Sequence, residues 1–347
     1  MKHGINQKIP ASRSIGLFVI GVLLILLPFL LKSPYIMHIV IMTFIGIVLG
    51  MTFSMIYSVG RISLGAGAFY AIGAYASALL AMKLGLSFWF ALPLATIITG
   101  IIALGLGSVI LKGSGLSFGV ISLLFALVIV QATGQVPFFG GWGGFWGIPA
   151  PDPLPVPFHT PIEFVRKTPY YYLILSLFLL IVLGFHALYT SRIGRTWRAI
   201  KLSPQLAETL GINLYRYRLL AFVIASAAAG VVGSFFSHYN RVIEPGAFGG
   251  FFSIYIQLYS VLGGLEFYIL GPVVGSTIVT FVPEFLRVAE EFEPIITGVV
   301  LVVVILFFPG GILGTLQKFL RFDIASIFAR TSKGVKALLL RVGNVRQ

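Results

Sequence analysis

The chain has 347 residues, of which 58% are hydrophobic and only 10% charged, with a formal net charge of +14 and no cysteine. Soluble globular domains carry about 25% charged residues, so this composition excludes one. The missing thiol excludes disulfides and cysteine nucleophiles. The bases lie between apolar stretches and in the tails and gather on no soluble domain, which argues against nucleic acid as a partner.

Apolar runs long enough to cross a bilayer recur along the whole chain. The alternating segments of roughly ten residues that mark a membrane β-barrel are absent. The predicted fold is all-α: a polytopic helical membrane protein in the lipid bilayer, with about ten transmembrane helices, some short or broken. Residues 1–14 read as a cytoplasmic N-tail with Lys2, Lys8 and Arg13. The run at 15–31 exceeds a signal-peptide core, and Lys32-Ser33-Pro34 stands where a small-residue cleavage site would follow, so it reads as the first span. Further spans are predicted at 35–58, 62–82, 88–110, 117–135, 170–189, 218–238, 249–263, 267–283 and 294–308. The eighth and ninth, divided by Gly263-Gly264, also read as one broken pair.

The third span is rich in Gly, Ala and Ser. Small residues let helices pack closely in lipid. The same composition also suits a partly unwound segment that lines a substrate path. Candidate path residues are Ser63, Leu64, Gly65 and Phe69 here, Phe118 and Ser122 in the fifth span, and Gly143 and Gly144 in the outer loop. That loop, Gly140-Gly141-Trp142-Gly143-Gly144-Phe145-Trp146-Gly147-Ile148-Pro149, reads as an interfacial segment anchored by aromatics, or as a gate or docking surface.

Residues 191–213 form a polar island within the predicted membrane region at 15–316. Arg192, Arg195, Arg198 and Lys201 recur every third position. Ser203 is a good helix N-cap, Pro204 fits the first helical position, and Gly211 can take the left-handed conformation that ends a helix. Leu206 and Leu210 share a face of the short helix between them. A base-rich loop serves as an orientation signal. A capped helix with a leucine pair also suits docking of a soluble partner. Beyond it, the turn at 284–293 is acidic, and the tail at 317–347 mixes bases with apolar residues, which suits a helix on an anionic inner leaflet.

With both termini in the cytoplasm, the outer side holds only Lys32, Lys83, Arg166, Lys167, Arg241 and Arg287 of the 24 bases. This satisfies the positive-inside rule and places residues 191–217 in the cytoplasm. No Walker-type nucleotide loop and no metal or catalytic pattern is present, so the chain is predicted to be no enzyme and to bind no cofactor. Glu266, Glu284 and Arg287 stand at span ends, which weakens an ion-coupled carrier. A stand-alone secondary carrier or channel stays as the alternative class.

Several stretches together resemble the LivM-type permease subunits of ABC importers for branched-chain amino acids. Gly60-Arg61-Ile62-Ser63-Leu64-Gly65-Ala66-Gly67-Ala68-Phe69-Tyr70-Ala71-Ile72-Gly73-Ala74-Tyr75 is similar to the family's early signature. Ser191-Arg192-Ile193-Gly194-Arg195, Arg198-Ala199-Ile200 and Ala207-Glu208-Thr209-Leu210-Gly211-Ile212-Asn213 resemble its coupling region. Leu262-Gly263-Gly264, Gly271-Pro272-Val273 and Phe308-Pro309-Gly310-Gly311-Ile312-Leu313-Gly314 resemble its C-terminal signatures. The resemblance implies import across the cytoplasmic membrane of a prokaryote. It implies a coupling helix (Ser203, Pro204, Leu206, Ala207, Glu208, Leu210 and Gly211, with Arg198 before it) seated on one of two separate ATP-binding subunits. A LivH-type second permease subunit and an extracytoplasmic substrate-binding protein complete the implied assembly. Leu116, Ala126-Leu127 and Gly143-Gly144 depart from acids that the family tends to carry. These departures bear on the substrate, since urea and short-amide importers share this permease type.

Overall fold

The computed structural model describes residues 11–31, 33–113, 115–154, 162–286 and 310–317, together with 298, 302 and 306. All but three residues of the predicted span 294–308, most of the acidic turn and the basic C-tail beyond residue 317 lie outside the described residues.

The long elements are helices: α1 (Ala11–Leu30), α2 (Pro34–Tyr57), α3 (Ala66–Leu84), α4 (Phe88–Ile110), α5 (Gly115–Gln135) and α6 (Lys167–Thr190). After two short helices, α7 (Arg192–Leu202) and α8 (Pro204–Thr209), come α9 (Leu214–Asn240), α10 (Gly250–Gly263) and α11 (Leu270–Leu286). Among the described residues, α2 to α6, α9 and the stretch Pro245–Gly263 are long and apolar enough to cross a membrane. The protein is an all-α, polytopic helical membrane protein. Away from its ends, such a helix satisfies its backbone donors and acceptors within its own segment, which is the requirement lipid imposes.

α2 is the central post, buried on nearly all sides from Met37 to Ile56. It packs against α9, α6 and the α10–α11 pair. Glycines set how closely these helices approach. A Cβ at Gly73 of α3 would lie 2.3 Å from the Gly230 carbonyl oxygen of α9, and one at Gly275 of α11 only 1.9 Å from the Tyr259 oxygen of α10. In lipid no hydrophobic drive separates helix from acyl chain, so such close backbone packing is what associates them. α10 and α11 fold back on each other around Gly263, whose added Cβ would meet the Gly271 oxygen at 1.7 Å. Hydroxyl bonds pin both members of this pair to α2, with Ser276 Oγ of α11 donating to the Thr43 carbonyl at 3.2 Å. Ser54 Oγ donates to Ser260 Oγ at 3.0 Å, and Ser260 Oγ donates to the Gly50 carbonyl at 2.7 Å.

At the end of α9 remote from α8, the glycine-rich loop is tied down. β1 (Phe145–Trp146) pairs antiparallel with β2 (Val242–Ile243). His238, 1% exposed, contacts the Pro149 carbonyl through Nδ1 at 2.8 Å and Ser77 Oγ through Nε2 at 2.9 Å. A carbonyl only accepts, so Nδ1 carries the proton and Nε2 accepts from Ser77. Ser234 Oγ donates in turn to Ser77 at 2.7 Å. The chain of donors runs from α9 through α3 into the loop, leaving none of these buried polar groups unpaired.

Candidate functional site

The polar island is two helices joined at a sharp corner. Ser191 starts α7 by accepting from the Ile193 and Gly194 amides at 3.1 and 3.4 Å. Gly194, Trp197 and Ile200 form its buried face, while Arg192, Arg195 and Arg198 stay exposed. Trp197 is fully buried and donates from Nε1 to the Tyr217 carbonyl at 3.1 Å, which fixes α7 on the start of α9. This helix was not foreseen as an element; its threefold base spacing was the available signal. It also carries Arg198, expected beside the coupling helix, whose guanidinium turns back to the Tyr189 carbonyl at 3.4 Å.

α8 has the predicted punctuation. Ser203 Oγ accepts from the Leu206 amide at 3.3 Å, with Pro204 at the first helical position. Gly211, at φ +79°, turns the chain away, with its amide on the Glu208 carbonyl at 2.9 Å. Ala207 alone of this helix is buried, packed with Ile200 and Leu214. Leu206 and Leu210 are 61% and 72% exposed, and Leu202, which the sequence reading passed over, is 86% exposed. The helix thus stands on one alanine and presents leucines outward, between two spanning helices and outside both. Glu208 is exposed beside them and lies within electrostatic reach of Arg218 on α9.

The second candidate region lies between α2 and α3. The helix expected from residue 62 begins only at Ala66, so residues 58–65 are an irregular connection. It is strapped to α5. The Leu64 amide donates to Ser122 Oγ at 2.9 Å, and a Cβ on Gly65 would come within 2.7 Å of the Ser122 carbonyl. Ser63, 2% exposed, accepts from the Gly65 amide at 3.3 Å. Arg61, 8% exposed, donates from Nη2 to the Gly113 carbonyl at 2.9 Å, and burial holds its guanidinium below the usual arginine range. Phe69 and Phe118 both pack edge-on against Phe222 of α9.

Ser63, Leu64, Gly65, Phe69, Phe118 and Ser122 therefore converge where α3, α5 and α9 meet. Gly143 and Gly144 do not join them. They lie beyond the other end of α5, where Gly144, at φ +67°, sits so close to β2 that a Cβ would meet the Ile243 oxygen at 1.9 Å. The departures noted in sequence fall on different surroundings: Leu116 is 84% exposed, whereas Ala126 is fully buried. An acid at the latter site would need a partner inside the bundle.

Comparison with known proteins follows the same outline. A family model described as the permease component of branched-chain amino acid transport systems matches residues 35–309. The high-affinity branched-chain amino acid transport system permease protein LivM of Salmonella typhimurium (strain LT2) is 27% identical over 320 residues, covering 86% of this chain and 74% of that protein. The LivM protein of Escherichia coli K12 has the same identity and coverage. The LivH permease protein of the same Salmonella strain is 36% identical over 128 residues, 36% of this chain and 40% of its own length. No solved structure matches.

Proposed function

The chain belongs to the permease-component family of branched-chain amino acid transport systems, and from that premise we propose that it is the membrane subunit of an ATP-driven importer. It carries branched-chain or other hydrophobic amino acids inward across the cytoplasmic membrane of a prokaryote. ATP is hydrolysed on two separate subunits, one of which grips α8, and the chain itself uses no cofactor. A LivH-type permease subunit shares the membrane, and an extracytoplasmic binding protein delivers substrate. Both termini lie in the cytoplasm, with ten crossings between them and the basic tail at 317–347 on the inner leaflet, because that arrangement sends the base-rich island inward. Residues 63–65, Phe69, Phe118 and Ser122 border the path at its inner end, and the loop with Gly143 and Gly144 forms its outer cover.

The observation that carries this reading is the outward face of α8. Large apolar side chains on a water-facing element signal a missing partner, and an orientation signal needs only charge. Urea or short amides are a second substrate reading, supported by the absent acids at Leu116, Ala126 and Gly143. The test is copurification with the ATP-binding subunits of the same importer. Replacing both Leu206 and Leu210 by Glu should reduce their retention at least tenfold, as expected for central apolar anchors, while the membrane protein stays monodisperse. Unchanged retention would remove α8 from the interface, and uptake by the chain alone would make it a carrier or channel.

A further inference from the structure

One residue, Lys201, joins the docking element to the end of α2, to the α10–α11 turn and to the start of the irregular connection before α3. Lys201 stands in the last turn of α7, two residues before the Ser203 cap of α8. Its ammonium lies 3.3 Å from Glu266 Oε1 and donates to the Tyr268 hydroxyl at 3.4 Å. It sits 4.1 Å from the centroid of the Tyr57 ring and 5.3 Å from that of Tyr268. Tyr57 is the last residue of α2, and Tyr268 lies in the turn between α10 and α11. Tyr268 stacks in turn on Tyr189 at the end of α6, with centroids 5.0 Å apart and planes at 17°. The Lys201 backbone also abuts the connection itself, since a Cβ on Gly60 (φ +72°) would lie 3.5 Å from Lys201 Cα.

The ion pair does not explain this arrangement. The Lys201 side chain is 17% exposed, but Glu266 is 76% exposed, and pairs so open to water contribute little. A lysine that only marked orientation would extend its ammonium into solvent. This one is drawn onto two aromatic faces, which hold a cation in a fixed direction. Arg195 and Arg198 of α7 instead donate back to the Thr190 and Tyr189 carbonyls at the end of α6.

We propose that Lys201 is the positioning residue that carries displacement of α8 into α2, the α10–α11 turn and residues 58–65. This rests on the docking reading of α8. When a partner pulls α8, Ser203 and the end of α7 move with it. The caged ammonium takes Tyr57 and the turn along, and the connection swings at Gly60, whose left-handed backbone absorbs the change.

The chain has no native cysteine, so one placed at the half-exposed Ile62 reports this motion without any choice of substrate. The assembled complex with its ATP-binding subunits would carry Ile62→Cys, and maleimide labelling would be timed with and without ATP and vanadate. With Lys201 present, nucleotide should change the labelling rate about tenfold, a usual size for coupling between sites. In Lys201→Met, which keeps the apolar stem, the nucleotide effect should vanish while the ATP-binding subunits stay bound. Lys201→Arg, which stacks on aromatic rings and keeps the charge, should restore it. A nucleotide effect of equal size in Lys201→Met overturns the proposal, as does its absence when Lys201 is intact. Loss of assembly in Lys201→Met without rescue by Lys201→Arg also overturns it, since Lys201 would then be a structural post. Failure of any ATP-binding subunit to copurify with the Lys201 protein would defeat the docking reading instead.

Discussion

Both α2 and α8 start with the dipeptide Ser-Pro, Ser33-Pro34 in one and Ser203-Pro204 in the other. Ser33 makes no side-chain cap bond, and α2 runs for 24 residues buried against its neighbours on nearly every side. Ser203 does make the cap bond, and α8 runs for six residues with only Ala207 buried. A helix this short cannot repay its nucleation in water, so its punctuation and its seat on α7 must hold it. The long helix needs neither, because packing and the lipid environment already stabilise it. One sequence signal thus has weight where tertiary contacts are few and little where they are many.

The comparison can be broken from either side. The largest expected effect is on α2. Gly50→Leu would press a side chain into Pro272 Cβ and Tyr259 Cβ, both 3.0 Å from the position of an added Cβ. Neither can retreat without moving α10 or α11, and overpacking of this kind costs about 1–3 kcal/mol or more. The variant should be recovered as aggregate, or melt well below the wild type by fluorescence-detected size exclusion. Next comes Leu206→Pro, which removes the amide that Ser203 caps and forces Gln205 out of the helical region. The protein should insert and melt as the wild type does, yet substrate-stimulated ATP hydrolysis by the assembled complex should be abolished. Persisting stimulation would mean that an intact α8 is not required.

Smaller effects separate the two serines. Ser203→Ala removes a cap worth about 1 kcal/mol, so retention of the ATP-binding subunits should weaken roughly fivefold. Ser33→Ala should change neither melting nor retention, because no cap bond is lost. A clear loss from Ser33→Ala, measured side by side with Ser203→Ala, would show that the contrast between the helices is wrong.

What could be read in advance follows from the same contrast. Ser203, Pro204 and Gly211 act within a few residues of themselves, so the limits of α8 were legible. The Gly, Ala and Ser around residues 62–65 suit both a close-packed span and a partly unwound segment, so their sequence does not choose between the two. Ser63, Leu64 and Gly65 are held out of the helix by α5, through Ser122. α7 escaped notice because its charged face dominates the sequence, while the burial of Gly194, Trp197 and Ile200 that supports it depends on α9.

The amino-acid sequence by itself determined the membrane class, the number of apolar runs, the island of bases and the helix punctuation, since each rests on composition or on contacts within one turn. Tertiary structure alone decided that Lys201 meets Tyr57, Glu266 and Tyr268, the last two lying 65 and 67 residues away along the chain. It also decided that Leu64 reaches Ser122, 58 residues on. Such meetings are set by where the glycines of facing helices let two backbones touch, and no local preference of the chain encodes that distance.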